Sequence, residues 1–213
     1  MQQIFSKYEF EQQYTYTGND LGVTYEKENS FFRVWAPTAD KVALRLYENG
    51  TPEVNDLIEE IEMERDVFGT WVTTKQGDLN GIYYTYFVVV GWRQNEACDP
   101  YARTTGVNGK RAMIIDLEAT NPKGWENDID QNAGKSCNEA IIYELHLRDL
   151  SIDENSGIVH KGKCLGMTET GTKNKEGYAT GLDYIKELGI THLHLLPLYD
   201  YGVEMIQQQS VLW

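Results

Sequence analysis

Glu144, Asp149 and Asp153 lie close together in the chain, with His146 among them and His192 and His194 on a later apolar run. Carboxylates do acid–base or nucleophilic work when two of them face one reacting bond and their surroundings push their proton affinities apart. Chain position gives Glu144 no such partner. Asp149 and Asp153 fall just past the end of a candidate strand. There they read as loop-ordering groups, as an ion-pair partner for Arg148, or as solvated charge, because structural pairing is the commoner role of such groups. The histidines invite a metal: His192 and His194, two apart, share one face of a strand. Zinc takes three or four ligands, no third ligand has motif spacing, and neither a metal nor any other cofactor is expected. Cys98, Cys137 and Cys164 are odd in number and fit no zinc spacing. They imply no disulfide framework, which suits a reducing compartment.

The elements that must position these groups change class along the chain. Residues 1–30 are polar, with a Thr17-Gly18-Asn19-Asp20 turn. Phe32, Val34 and Trp35 then lead to a break at Ala36-Pro37. Over Lys41–Tyr47, Val42, Leu44 and Leu46 fall on one face and Lys41, Ala43 and Arg45 on the other, the period of a half-buried strand. Glu48-Asn49-Gly50 ends it. Further runs follow at Ile61–Arg65, Gly69–Thr74, Ile82–Val90 and Ala112–Leu117. Short strands separated by turn signals predict a β-sandwich. A linker rich in Asn, Gly, Lys and Asp comes next, with Pro122 and Trp125 as its anchors to a domain surface. The pattern then becomes strand (Ala140–Leu147), a long polar Gly-rich loop (151–178), helix and strand (Thr191–Leu196, ended by Pro197). The helix carries apolar residues at 182, 185 and 188 and stops at Gly189. Strand, helix, strand is a βαβ unit with parallel strands.

Composition excludes several partners. With 33 acidic and 19 basic residues the net charge is −14, a surface that repels phosphate backbones, so no nucleic acid is expected. No apolar stretch approaches the roughly 18 residues of a membrane helix, and the N-terminus carries no charged start followed by an apolar run. No membrane partner and a cytoplasmic location are expected. A neutral, hydroxyl-rich polymer remains open, and the 14 Tyr and 5 Trp are rings that could stack on sugar faces, although β-rich domains also favour rings in their strands.

A series of segments resembles one known family in its own order. Phe32-Arg33-Val34-Trp35-Ala36-Pro37-Thr38-Ala39 resembles the opening of the family-48 carbohydrate-binding module. Asp20-Leu21-Gly22-Val23 and Tyr25 upstream, and Gly81-Ile82-Tyr83-Tyr84-Thr85-Tyr86 downstream, extend the likeness. Asp99-Pro100-Tyr101-Ala102 and Val107-Asn108-Gly109-Lys110-Arg111 resemble the exit from that module in type I pullulanases. Tyr143-Glu144-Leu145-His146-Leu147-Arg148-Asp149-Leu150-Ser151 and the run Gly181–Pro197 resemble the first strand, first helix and second strand of the family-13 glycoside hydrolase barrel. The resemblance covers about residues 14–202 and implies an immunoglobulin-like β-sandwich followed by the first βαβ portion of an incomplete (β/α)8 barrel. The boundaries it suggests are an N-terminal segment 1–14, a module 15–118, a linker 119–139, the start of the barrel 140–202 and a tail 203–213 unlike the family.

The family hydrolyses α-1,6-glucosidic bonds in pullulan, starch and dextrins, with a nucleophilic Asp and an acid/base Glu on later strands. The expected partner is therefore an α-glucan (starch, pullulan or a glycogen-type polysaccharide), and no residue of this chain is expected to be catalytic. The tail after Gly202 reads as the product of a frameshift or premature stop, leaving a chain inactive alone; the alternative is a stand-alone glucan-binding module. A fragment of an isoamylase or branching enzyme fits residues 99–111 and 147–151 less well. Trp35 and Trp71 resemble core positions of the module. Trp92, in the turn-like Gly91-Trp92-Arg93-Gln94-Asn95, is the candidate substrate-binding residue: an exposed ring beside Arg and Asn suits an α-glucan.

Overall fold

The alternation read over Lys41–Tyr47 is a strand in the computed structural model, which describes residues 6–196. Pro197 and the tail 203–213 lie outside the described residues. The chain divides into two units, one running to Lys123 and the other from Gly124.

The first unit contains α1 (Lys7–Tyr14), β1 (Gly22–Tyr25), β2 (Asn29–Trp35), β3 (Lys41–Tyr47), β4 (Leu57–Glu62), β5 (Glu64–Arg65), β6 (Thr70–Gln76), β7 (Tyr83–Val90), β8 (Arg93–Ala97) and β9 (Ala112–Met113). They form two antiparallel sheets. One has the order β1-β2-β6-β5; the other has β4-β3-β7-β8, with β9 also on β7. Both contribute to one core: Phe32 and Val34 of β2 and Trp71 of β6 from the first sheet, and Val42, Leu44, Leu46, Tyr84 and Tyr86 from the second. Period-two patterning brings this about, since alternate side chains of β2, β3 and β7 point the same way. Phe32, Tyr84 and Tyr86 meet edge to face, with centroids 5.3 and 5.8 Å apart in successive pairs.

Three details depart from the sequence expectations. Polar residues 1–30 hold α1 and β1. The short helix begins at Ser6, whose side chain and backbone exchange hydrogen bonds with Glu9 in a capping box. The run Ile61–Arg65 is two strands in different sheets. At the buried Met63, whose N–H donates to the Val42 carbonyl, the chain passes from β4 beside β3 to β5 beside β6. Within Ala112–Leu117 only Ala112 and Met113 form a strand on β7, with Ile114 bonding the Gly81 and Ile82 backbone beside it, and Glu118–Thr120 is already a helical turn.

The outward face of β3 is covered by charge rather than left bare. Arg45 lies 4.0 Å over the Phe87 ring and bonds Glu60 and Glu96. Glu96 also accepts from Tyr47 and Thr85. Arg111, nearly buried, stacks 3.7 Å over Tyr47 and reaches Asp56 at 2.8 Å.

The second unit contains β10 (Ile142–His146), α2 (Leu147–Ser151), α3 (Gly181–Glu187) and β11 (His192–Leu196). β10 and β11 pair in parallel, Glu144 opposite His194. α3 buries Ile185 and ends with Gly189 in the left-handed conformation. The loop between α2 and α3 is organised by hydroxyls. Ser151 Oγ accepts the Gly162 N–H, Ser156 Oγ donates to the Ser151 carbonyl, and Thr180 Oγ1 donates to the Ser156 carbonyl. Gly157 is required there: its φ is +70°, and a side chain would collide with the Lys173 carbonyl. Trp125, a candidate anchor of the linker, is about half exposed.

Candidate functional site

Trp92 projects from the turn between β7 and β8. Val90 pairs with Arg93, so the connection is two residues, Gly91 and Trp92. Gly91 has φ +59° and Trp92 has no positive φ, the pattern of a type II′ hairpin turn, which calls for glycine at its first central position. Asp40 secures the turn by accepting the Gly91 N–H at 2.6 Å. The indole is 85% exposed. The Arg93 guanidinium lies 5.2 Å from its centroid, and Gln94 and Asn95 are exposed beside it. A rigid turn thus presents a large apolar face with donors and acceptors at its edge.

Trp71 is 6% exposed, with Nε1 donating to the Ala36 carbonyl at 3.0 Å. Trp35 differs: it is 41% exposed, at the last position of β2. Its Nε1 donates to the carbonyls of Tyr14 (2.8 Å) and Phe68 (3.2 Å), and Phe10 of α1 meets it edge-on at 6.3 Å. Phe10, Tyr14, Tyr16, Trp35, Pro100 and Tyr101 line an open groove of about 670 Å³. Sequence reasoning singled out none of these rings as ligands, because they come from three separate stretches, 10–16, 35 and 100–101, that only the fold gathers. The available signal was local: Gly18 beneath the Tyr16 ring, and Gly22, at φ +97°, behind Tyr101.

The groove's rings are fixed by polar groups. The Tyr16 hydroxyl donates to Asp20, which also receives Arg33 Nε at 2.9 Å; Arg33 Nη1 reaches Asp66 at 2.6 Å. The Tyr16 bond, helped by Arg33, holds the Asp20 carboxyl below its usual range. Tyr101 is held by Asp99, whose Oδ1 accepts its N–H at 2.8 Å. Asp99 is 3% exposed, and Tyr84 donates to its Oδ2 at 2.6 Å. Burial pushes the Asp99 carboxyl up, and the bonds from Tyr84, Tyr101 and Tyr86 hold it down only in part.

In the second unit the candidate acid–base groups are exposed and individually engaged. Glu144 Oε2 lies 3.0 Å from His194 Nδ1. Asp149 lies 3.8 Å from His146 Nδ1 and 3.9 Å from Arg148 Nη1. Asp153 Oδ1 accepts the Asn155 N–H at 2.7 Å. His192 Nδ1 lies 2.7 Å from Thr191 Oγ1. Among the described residues, no three His, Cys, Asp or Glu side chains converge where a metal ion would sit.

Comparison with known proteins gives these sites a context. Residues 20–102 match carbohydrate-binding module 48, the isoamylase N-terminal domain. The chain is 36% identical over 197 residues to a pullulanase of Bacillus subtilis, covering 91% of this chain and 25% of that protein. It is 32% identical to the chloroplastic Pullulanase 1 of Arabidopsis thaliana, of which it covers 20%. The crystal structure of a Paenibacillus barengoltzii pullulanase in complex with maltohexaose and α-cyclodextrin matches with 51% identity and a TM-score of 0.85, over 91% of this chain and 29% of that one. The chain thus spans between a fifth and a third of the length of these relatives.

Proposed function

We infer that this chain, a pullulanase-like carbohydrate-active protein whose residues 20–102 are a carbohydrate-binding module 48, holds α-glucan and is the front part of a hydrolase acting on α-1,6 bonds in pullulan, starch and dextrins. The observation carrying this reading is Trp92, an 85% exposed indole on a pinned two-residue turn inside the matched region. A pyranose face is apolar and its rim is hydroxyl-rich. A ring edged by Arg93, Gln94 and Asn95 offers both kinds of contact. A neutral polymer also suits a chain of net charge −14.

In the same reading the first unit is an immunoglobulin-like sandwich, supported by two antiparallel sheets feeding one core. The parallel pair β10 and β11, with α3 between them in sequence, is the opening of a (β/α)8 barrel. In this reading the described residues hold glucan rather than cut it, because the family likeness puts the nucleophilic Asp and the acid/base Glu on later strands. Three free thiols support a reducing, cytoplasmic setting.

Native electrophoresis of the whole chain through gels with and without pullulan tests the reading. Retardation by the polymer, reduced in Trp92→Ala, is the expected result. Equal retardation of both proteins removes Trp92 from the site, and no retardation of either removes glucan binding.

A further inference from the structure

The aromatic groove beside α1 is built in a way that packing alone does not require. Trp35 and Tyr101 are 41% and 52% exposed, yet each is fixed by its own anchor. The indole N–H of Trp35 bridges the Tyr14 and Phe68 carbonyls. Tyr101 is held through its N–H by the buried Asp99 and backed by Gly22, where a β-carbon would come within 3.0 Å of Tyr101 Cβ. Tyr16 is clamped between Asp20 and Arg33, whose guanidinium lies 5.2 Å from its ring. Tyr16 and Tyr101, whose anchors lie outside α1, are held before a ligand arrives and lose little freedom when it binds. At about 670 Å³, the groove lies within the range of small-molecule binding sites.

One wall is different in kind. α1 has eight residues and buries none of them, well short of the roughly 12–15 residues at which an isolated helix becomes even marginally stable in water. It depends on Phe10 and Tyr14 meeting Trp35 and Gly69, since a β-carbon at Gly69 would touch the Tyr14 ring at 2.9 Å. A ligand lying across Trp35 and Tyr101 therefore completes the contacts that hold the helix.

We propose that this groove is a second α-glucan site, separate from Trp92, in which a glucan segment stacks on Trp35 and Tyr101 and orders α1 over itself. The proposal rests on the glucan reading above. Two observations select the occupant. Trp35, Pro100 and Tyr101 all fall within the carbohydrate-binding module match. The lining combines sugar-stacking rings with the Tyr101 hydroxyl and brings only one charged side chain, Glu11, which suits a neutral ligand with apolar faces and a hydroxyl rim.

The test uses the whole chain and maltohexaose, with two readouts: affinity by calorimetry and amide hydrogen exchange across residues 7–14. Expected is about a fivefold loss of affinity in Tyr101→Ala, the size of one ring contact, and a separate loss in Trp92→Ala. Maltohexaose should slow exchange in α1 of the parent and of Trp92→Ala, but not of Tyr101→Ala. Tyr101→Phe keeps the stacking ring and should retain the protection. If Tyr101→Ala binds like the parent, α1 stays unprotected and Trp92→Ala alone loses binding, the groove is not a glucan site although glucan binding stands. If the parent binds no maltohexaose, both readings fall. Protection of α1 that follows protein concentration and ignores maltohexaose overturns the proposal in favour of a contact between copies of the chain.

Discussion

Replacing Tyr84 by Phe removes one oxygen from the centre of the first unit and leaves the ring in place. That oxygen is 2.6 Å from Asp99 Oδ2, and the two residues are 0% and 3% exposed. A hydrogen bond to a charged group contributes about 1.5–3 kcal/mol, and one between neutral groups about 0.5–1.5 kcal/mol. Charging Asp99 has a cost, because burial raises its pKa above that of the unfolded chain. A group of this kind favours the folded state below its unfolded pKa, and that advantage disappears as pH rises through the folded value. The Tyr84 hydroxyl offsets part of the cost of the charge. Tyr84→Phe should therefore destabilise by about 2 kcal/mol while Asp99 carries its charge and by about 1 kcal/mol once acid has protonated it. For a unit of this size the larger figure corresponds to a fall in Tm of about 8 °C. Urea unfolding of parent and variant from pH 3.5 to pH 8, followed by tryptophan fluorescence, measures how the loss changes with pH. An equal destabilisation at both ends of the range would falsify the account of Asp99 as a buried charge held by Tyr84. Asp99 also holds Tyr101, so the same variant should weaken maltohexaose binding if the groove is used.

Arg111→Ala should cost about 3 kcal/mol in urea unfolding, because it strands Asp56 and uncovers Tyr47; a loss below 1 kcal/mol counts against the pair. Gly106→Ala forces a β-carbon to 2.5 Å from the Gly50 backbone and should cost about 1–3 kcal/mol, whereas Trp92→Ala, at an 85% exposed position, should stay within about 0.5 kcal/mol of the parent. Arg33 holds Asp66 below the usual carboxylate range, and Asp20 is lowered chiefly by Tyr16. Burial works against the charges of Asp56 and Glu96, but Arg111 with Asn49, and Tyr47 with Thr85 and Arg45, outweigh it. Folded pKa values below unfolded ones give stability that is present above about pH 4 and lost as pH falls through the folded values, so Tm should drop steeply on acidification below pH 4; a flat profile there contradicts the network. Limited proteolysis should cut first between residues 119 and 139, an exposed stretch of short turns, and leave a resistant fragment containing the two sheets.

Much of this molecule was legible along the chain, for reasons local to it. Period two at Val42, Leu44 and Leu46 produces β3 with all three side chains in the core. Gly189 stops α3 because glycine enters the left-handed region without penalty. A glycine leading a two-residue loop is likewise a local signal, and it exposes Trp92 whatever the rest of the fold does. The family likeness, too, is carried by short ordered strings. The crossing at Met63 was not legible: one apolar run can serve two sheets when its two halves meet different partners, and pairing partners are not written into the run itself.

Charge pairs follow the same division. Arg111 reaches back to Asp56, and Asp99 answers to Tyr84 and Tyr86, choices that only the sheet register makes. Trp35 shows it most clearly. Its likeness to a core position of the module implies burial, and the strand does form. Yet Trp35 alternates with Val34 and lies on the face of β2 opposite Phe32 and Val34, where its ring meets Phe10 of α1 and shares a groove with Tyr101. The sequence by itself determined the strands, the turns and the kinship, because backbone conformation answers to nearest neighbours. Only the tertiary structure decided which rings share a groove and which carboxylates share a cation, because those contacts join residues that lie far apart until the sheets close.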